Sequence, residues 1–314
     1  MKTFSSIIEQ SAQKSILVTG CDMYTGYMIA HTILKEKSGH FGKVFVGFYK
    51  ENHLVHMLKH DGAEPVHLTI DNCDKIVEAY CKVDIVVVMP PVSDEKWHHG
   101  DPCVFLHAAE KAKVKGLVLC SKINIKELSN MPNLKPLCKM EEGFAKIKDK
   151  VEVASLVRCS VHIDMLWLFR HQIAEKHRLC LPAKKDAKFA PLVETDAAHG
   201  LCNMLLDPKL PPGIYELTGP DVVDFDKVVE CVSSAIDEDI DYNKVDRHEM
   251  VEYLKHRKEI CSNGAEFIGD FLEAVSKGLL TKKTDDLHKM LGKAPMSIQD
   301  YAQKNAKDFK PHSF

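Results

Sequence analysis

Two glycines six residues apart, Gly20 and Gly26, stand in the run Ser15-Ile16-Leu17-Val18-Thr19-Gly20-Cys21-Asp22-Met23-Tyr24-Thr25-Gly26. Their spacing suits the binding of a phosphate-bearing ligand. A glycine at the end of a strand lets the chain reverse sharply. One at the start of a helix lets strand and helix pack closely, with backbone amides aimed at a pyrophosphate. In a full GxxGxxG pattern the middle position is also glycine, so that backbone can approach phosphates without a Cβ in the way; here it is Met23. The same residues also suit an ordinary strand-to-helix turn. Cys120 and Ser121 adjoin at the end of an apolar run and could offer a thiol or a hydroxyl. No paired base accompanies them, so a buried strand-end thiol is the simpler reading of Cys120. Of the 17 histidines, the adjacent pair His98 and His99 has no third ligand at metal spacing, and no metal site is expected.

The turn needs a buried strand before it and a helix after it. Ile16, Leu17 and Val18 supply the first, and the helical spacing of Met28, Ile29, Thr32 and Ile33 supplies the second. The pattern then repeats. Strands are expected over Lys43 to Phe48, Val66 to Ile70, Asp84 to Met89, Leu117 to Cys120 and Val151 to Arg158. Between them lie helices carrying Leu54, Val55 and Leu58; Ile76, Val77 and Tyr80, with Asp71-Asn72 at the cap; Val104 to Ala112; and Leu137, Met140, Phe144 and Ile147. Ile85 to Met89 is the most apolar segment and is read as a central strand ending at Pro90-Pro91. Such alternation predicts an α/β fold with a doubly wound, Rossmann-like parallel sheet.

Beyond Arg158 the alternation fails. Met165 to Arg178 is expected to be helical and Leu179 to Phe189 a loop, with a strand over Gly213 to Leu217. Helices follow around Val228, Val229, Val232 and Ile236, around Phe267, Phe271 and Val275, and from the capping spacing Ser297 to Asp300. The predicted division is a nucleotide-binding domain over 1–158, rejoined by strands near 190–220, and a smaller, mainly helical domain over 159–314. The face carrying Phe267, Phe271 and Val275 is either core or, with Met165 and Trp167, the lining of a pocket for a hydrophobic small molecule or a partner helix. In an open parallel sheet the usable crevice lies at the carboxyl ends of the strands. Gly20, Pro90, Pro91, Ser121 and the turn Cys159-Ser160-Val161-His162 are expected on its rim.

Composition narrows the function. The 314 residues are 45% apolar and 28% charged, with a net charge of -3, which offers no general attraction for nucleic-acid phosphates or anionic lipid. Direct nucleic-acid or membrane binding is not expected, and the longest apolar run is too short to span a bilayer. The 11 cysteines lack a CxxC pair, which suggests free thiols in a cytoplasmic protein.

Taken in order, these motifs resemble the NmrA-like family, atypical members of the short-chain dehydrogenase/reductase superfamily, over nearly the whole chain. The carriers are Ile16 to Gly20 with Gly26, Val86-Val87-Val88-Met89-Pro90-Pro91, Ala108 to Gly116, Lys139-Met140-Glu141, Leu156-Val157-Arg158, Val193 to Ala198 and Gly213 to Pro220. The resemblance implies a Rossmann domain that binds NADP or NAD, with a C-terminal domain walling a cleft. The family includes NAD(P)H-dependent reductases and nucleotide-sensing regulators that bind transcription factors without catalysis. It places Gly20, Asp22, Met23, Tyr24, Thr25 and Gly26 at the pyrophosphate and Pro90 at the cofactor. After strand two, where members often carry an arginine for the 2′-phosphate, stand Tyr49 and Lys50; Lys50 brings charge but not a planar fork. The aspartate that accepts from the adenine amino group falls on Thr69. The superfamily's catalytic tyrosine, four residues before a lysine whose charge lowers the phenol's pKa, falls on Lys135, with Lys139 in the lysine position. Ser121 and Lys139 are the remaining catalytic candidates, and the resemblance also makes Lys139 a candidate cofactor contact. The resemblance therefore points to a dinucleotide-sensing regulatory or binding module without tyrosine-dependent chemistry. A reductase acting on a quinone or other small electrophile, or a scaffold that has lost its nucleotide, are the alternatives. Nucleotide affinity is expected to be micromolar or weaker, about -8 kcal/mol or less favourable.

Overall fold

The computed structural model describes residues 2–11 and 15–310. Two compact units divide them. The first comprises 1–129, 135–158 and 197–216, and the second 130–134, 159–196 and 217–314.

A seven-stranded sheet organises the first unit. In chain order its strands are β1 (Ser15–Val18), β2 (Lys43–Phe48), β3 (Glu64–His67), β4 (Ile85–Val88), β5 (Gly116–Lys122) and β6 (Val153–Cys159). β7 (Arg178–Leu181) lies outside this sheet, and β8 (Ile214–Leu217) closes its far edge. The spatial order is β3-β2-β1-β4-β5-β6-β8, so the direction of winding reverses between β1 and β4. β1 pairs in parallel with both β2 and β4, Leu17 facing Phe45 on one side and Val86 on the other. The expected doubly wound sheet is thus present. Every residue of β1 and β4 is buried, because helices cover both faces of a parallel sheet. β3 is the exposed edge strand, where Pro65 is tolerated for want of a ladder partner.

Local sequence accounts for the flanking helices. Tyr24–Glu36 buries Gly26, Ile29, Ala30 and Ile33, one stripe of a 3.6-residue repeat. Asn52 accepts from the amides of Leu54 and Val55, and Asn72 from that of Lys75, at the starts of the next two helices. Lys135–Ile147 is held to β6 by a fork: Arg158 Nε and Nη2 donate to the two oxygens of Glu141 at 2.9 and 2.6 Å, while Nη1 reaches Glu216 on β8 at 3.2 Å.

Several boundaries differ from the sequence reading. β5 runs on to Lys122. β3 stops at His67, because the Ile70 amide leaves the ladder to donate to Asp94 Oδ2 at 2.9 Å.

In the second unit, the single helix expected over Met165 to Arg178 is a 3₁₀ stretch, Ile163–Phe169, followed by an α-helix, Arg170–Lys176. It ends at His177, whose φ is 46°. The loop expected from Leu179 contains β7, which pairs in parallel with β9 (Asp241–Lys244). β9 reads Asp-Tyr-Asn-Lys and is largely exposed, so no apolar alternation announced it. Ser297 caps the helix Ile298–Lys304 by accepting from the Asp300 amide, as its spacing predicts.

Within this unit Phe271 is 7% exposed and Val275 fully buried, while Phe267 is half-buried with its ring 6.2 Å from that of Phe271. Of the two readings of that face, Phe271 and Val275 belong to the core. Phe271→Ala should lower unfolding free energy by about 3 kcal/mol or more in urea titration; a loss below about 1 kcal/mol would return the face to the surface.

The Cys159–His162 turn leads into a buried charged group. His162 Nδ1 pairs with Glu194 Oε2, and the Glu194 amide donates to Asp164 Oδ2 at 2.7 Å. Burial, and then the neighbouring Glu194 charge, push the Asp164 carboxyl up to about 6. The folded state therefore holds this proton more tightly than the unfolded chain, whose carboxyl titrates near 3.9. Asp164 should make stability fall as pH rises from about 4 to about 6, with no further change above. Comparing urea unfolding of the wild type and Asp164→Asn over that range isolates the contribution, which should disappear in the variant.

Candidate functional site

The carboxyl ends of β1, β2 and β4 meet at the point where winding reverses. Gly20 has φ +65°, a conformation that side chains resist, and a Cβ there would stand 2.9 Å from Met89 Cβ. A Cβ on Gly26 would come within 2.3 Å of the Gly20 carbonyl oxygen. Both glycines are thus demanded by the closeness of strand, turn and helix. Met23 has extended dihedrals and caps the helix Tyr24–Glu36 without a side-chain bond, its own amide donating to Gly20 O at 3.0 Å. Tyr24 is 47% exposed and Thr25 half-exposed.

Asp22 does more than line this turn. Its buried carboxylate accepts from the Tyr49 amide at 3.2 Å, the Lys50 amide at 3.1 Å and the Ser93 hydroxyl, and its carbonyl accepts from Asn52 Nδ2 at 2.8 Å. One residue thereby ties the loops after β1, β2 and β4 together. Burial raises its pKa, opposed by these hydrogen bonds.

Tyr49 is also buried. Its ring meets Phe105, on the helix Val104–Ala112 after β4, edge-on at 5.6 Å, and its Cε2 lies 3.7 Å from where a Gly20 Cβ would be. The aromatic ring therefore lies between the glycine turn and the helix after β4. Thr19 closes the same seam, its Oγ1 accepting from the Met89 amide at 2.8 Å. The Lys50 side chain is exposed.

The stretch Pro90 to Cys103 is long for a strand-to-helix connection, which usually takes two to six residues. It folds as successive turns around Trp97, which is wholly buried. Asp94 accepts from the amides of Ile70 at 2.9 Å and Lys96 at 2.8 Å, and Lys96 pairs with Asp71. A Cβ on Gly100 would meet Ile70 Cγ2 at 2.4 Å. Thr69, half-buried, sits just past β3 in the loop that this stretch covers, and Pro90 is half-buried at its start. Sequence reading did not single out Ser93, Asp94 or Trp97. The length of the connection and its tryptophan were the only signals.

Ser121 is within β5, its hydroxyl buried without a protein partner, and Lys135 and Lys139 are exposed one turn apart on the same helix. Among the described residues no hydrogen bond or ion pair joins Ser121 or Lys139 to the glycine turn. No three of His, Cys, Asp and Glu converge as a metal site there, and no helix is long and apolar enough to cross a membrane.

The glycine turn suits a pyrophosphate. At the end of β2 the amides of Tyr49 and Lys50 are engaged by the Asp22 carboxylate, the Tyr49 ring is packed inward, and the Lys50 side chain is exposed, an arrangement that leaves those two amides no free donor for a ribose or phosphate.

No protein-family model matches the chain, and neither does any curated protein. Solved structures do match. A triphenylmethane reductase from Citrobacter sp., complexed with NADP(H), aligns at TM-score 0.74 with 16% identity over 93% of this chain and 99% of its own. An NADPH-dependent quinone oxidoreductase from Escherichia coli, complexed with NADPH, aligns at 0.73 with 16% identity over 92% and 99%. NmrA, a negative transcriptional regulator in complex with NADP, aligns at 0.67 with 13% identity over 93% and 95%. The chain thus has the Rossmann-type fold of these structures, which are complexes with NADP(H), NADPH and NADP respectively.

Proposed function

We propose that this chain is a regulatory or binding module built on the NmrA-like fold, without hydride-transfer chemistry of its own. The observation that carries the reading is the helix Lys135–Ile147. Where the superfamily's phenol would stand it presents Lys135, and both Lys135 and Lys139 are exposed. An ammonium in the phenol's place cannot pass through the phenol–phenolate cycle on which that proton transfer depends. Ser121 is a poor substitute for the phenol, because no charged side chain is hydrogen-bonded to its buried hydroxyl to make it a stronger acid. Glu141, two residues beyond Lys139, is engaged by Arg158 through both oxygens and serves as a structural anchor.

The likeness to NmrA supports a partner-binding role, since that protein is a transcriptional regulator. The chain's own balance of charge supports a protein or small hydrophobic molecule as the partner in preference to nucleic acid. The reductase reading draws on the triphenylmethane and quinone reductases, which share the fold.

NADPH and NADH consumption in the presence of quinones, azo dyes and triphenylmethane dyes, and NAD or NADP reduction with secondary alcohols, should not exceed the protein-free rate. Robust quinone turnover that is abolished in Gly26→Trp would establish the reductase reading instead.

A further inference from the structure

We infer that the adenosine end of the dinucleotide crevice is occupied by the chain's own side chains, with Asp22 as the resident anion, and is closed to NADP(H) and NAD(H). The inference goes beyond the absence of catalysis, since a module without chemistry could still bind nucleotide.

Three contacts span the ground that an adenosine would need, at the carboxyl ends of β1 to β4. The Asp22 carboxylate takes the amides of Tyr49 and Lys50 on one side and the Ser93 hydroxyl on the other, linking the loops after β1, β2 and β4 by direct hydrogen bonds. A ligand phosphate at the end of β2 would compete with this carboxylate for the same donors and meet its negative charge. The Tyr49 ring packs against Phe105 and beside the Gly20 turn, placing protein atoms between β1 and the helix after β4. The stretch after β4 is pinned to the loop after β3 by Asp94 on the Ile70 amide, Lys96 on Asp71, and Gly100 against Ile70. Its wholly buried Trp97 anchors the stretch in the body of the unit. Opening the crevice would strip a buried carboxylate of its donors and expose two large aromatic side chains, costs that a pyrophosphate on the glycine turn must offset before any adenosine contact forms.

The test uses the full chain. Calorimetric titration with NADPH, NADP and NADH up to about 1 mM, which registers even weak binding of about -4 kcal/mol, should show no saturable heat. Hydrogen exchange should show equal protection with and without NADPH in peptides covering the glycine turn, the loop after β2 and the stretch after β4. Asp22→Asn, which keeps the side chain's shape and removes its charge, should speed exchange of the Tyr49 and Lys50 amides at least about tenfold and tighten NADPH binding at least about tenfold. Ser93→Ala, a milder change that leaves the carboxylate in place, should speed the same amides by a smaller factor. Near-ultraviolet circular dichroism checks that both variants are folded. Micromolar binding by the wild type would overturn the inference while leaving the proposed lack of hydride chemistry standing. So would unchanged amide exchange in Asp22→Asn, or a folded Asp22→Asn that still fails to bind, since either result removes Asp22 as the cause.

Discussion

A carboxylate taken out of water must be given donors, and Asp22 is the group around which the carboxyl edge of this sheet is arranged. Left unpaired, a buried carboxylate costs several kcal/mol even after the surroundings relax. Here the requirement is met by two backbone amides from the end of β2 and one hydroxyl from beyond β4. Because the donors come from different loops, the same hydrogen bonds that satisfy the charge also hold those loops against one another. Removing any one donor leaves the carboxylate under-satisfied, so the loops hold their positions together.

The sheet beneath makes this arrangement possible. β1 and β4 are adjacent and buried along their whole lengths, so the loops that leave them emerge side by side on one edge. In the wider fold that juxtaposition opens a ligand crevice at the reversal of winding. In this chain Tyr49, Thr19, Met89 and Ser93 fill the seam, while the glycines that permit a tight turn are retained. The two features have separate physical causes. Gly20 and Gly26 are needed because strand, turn and helix touch, whether or not a phosphate is present. Glycine spacing is accordingly evidence about close packing first, and about a ligand only when the neighbouring donors are available to one.

The side chains that could carry chemistry follow a similar logic. Lys139 lies on the helix Lys135–Ile147, yet a lysine matters to proton transfer only beside a phenol whose pKa it lowers, and the position four residues earlier is Lys135. The helix spends its buried polar contact on structure instead, through Glu141 and Arg158.

The sequence by itself determined the alternating architecture, because β1, β2, β4 and β5 are short apolar runs and the helices between them carry apolar stripes and side-chain caps that act within a few residues. It also determined that Lys135 stands four residues before Lys139 and that Met23 stands midway between Gly20 and Gly26, which are matters of residue identity. It could not announce the pairing of β7 with β9, since β7 is only four residues long, β9 is largely exposed and carries no apolar alternation, and the pair exists only when the two segments are brought together. Nor could it assign Asp22 its part: the donors that define it lie 27, 28 and 71 residues away. The turn of β3 away from its ladder, the inward packing of Tyr49 and the burial of Trp97 were likewise decided by tertiary structure. Hydrogen bonds and burial between distant segments depend on which atoms the completed sheet places within about 3 Å of one another, and local patterning carries no record of that distance.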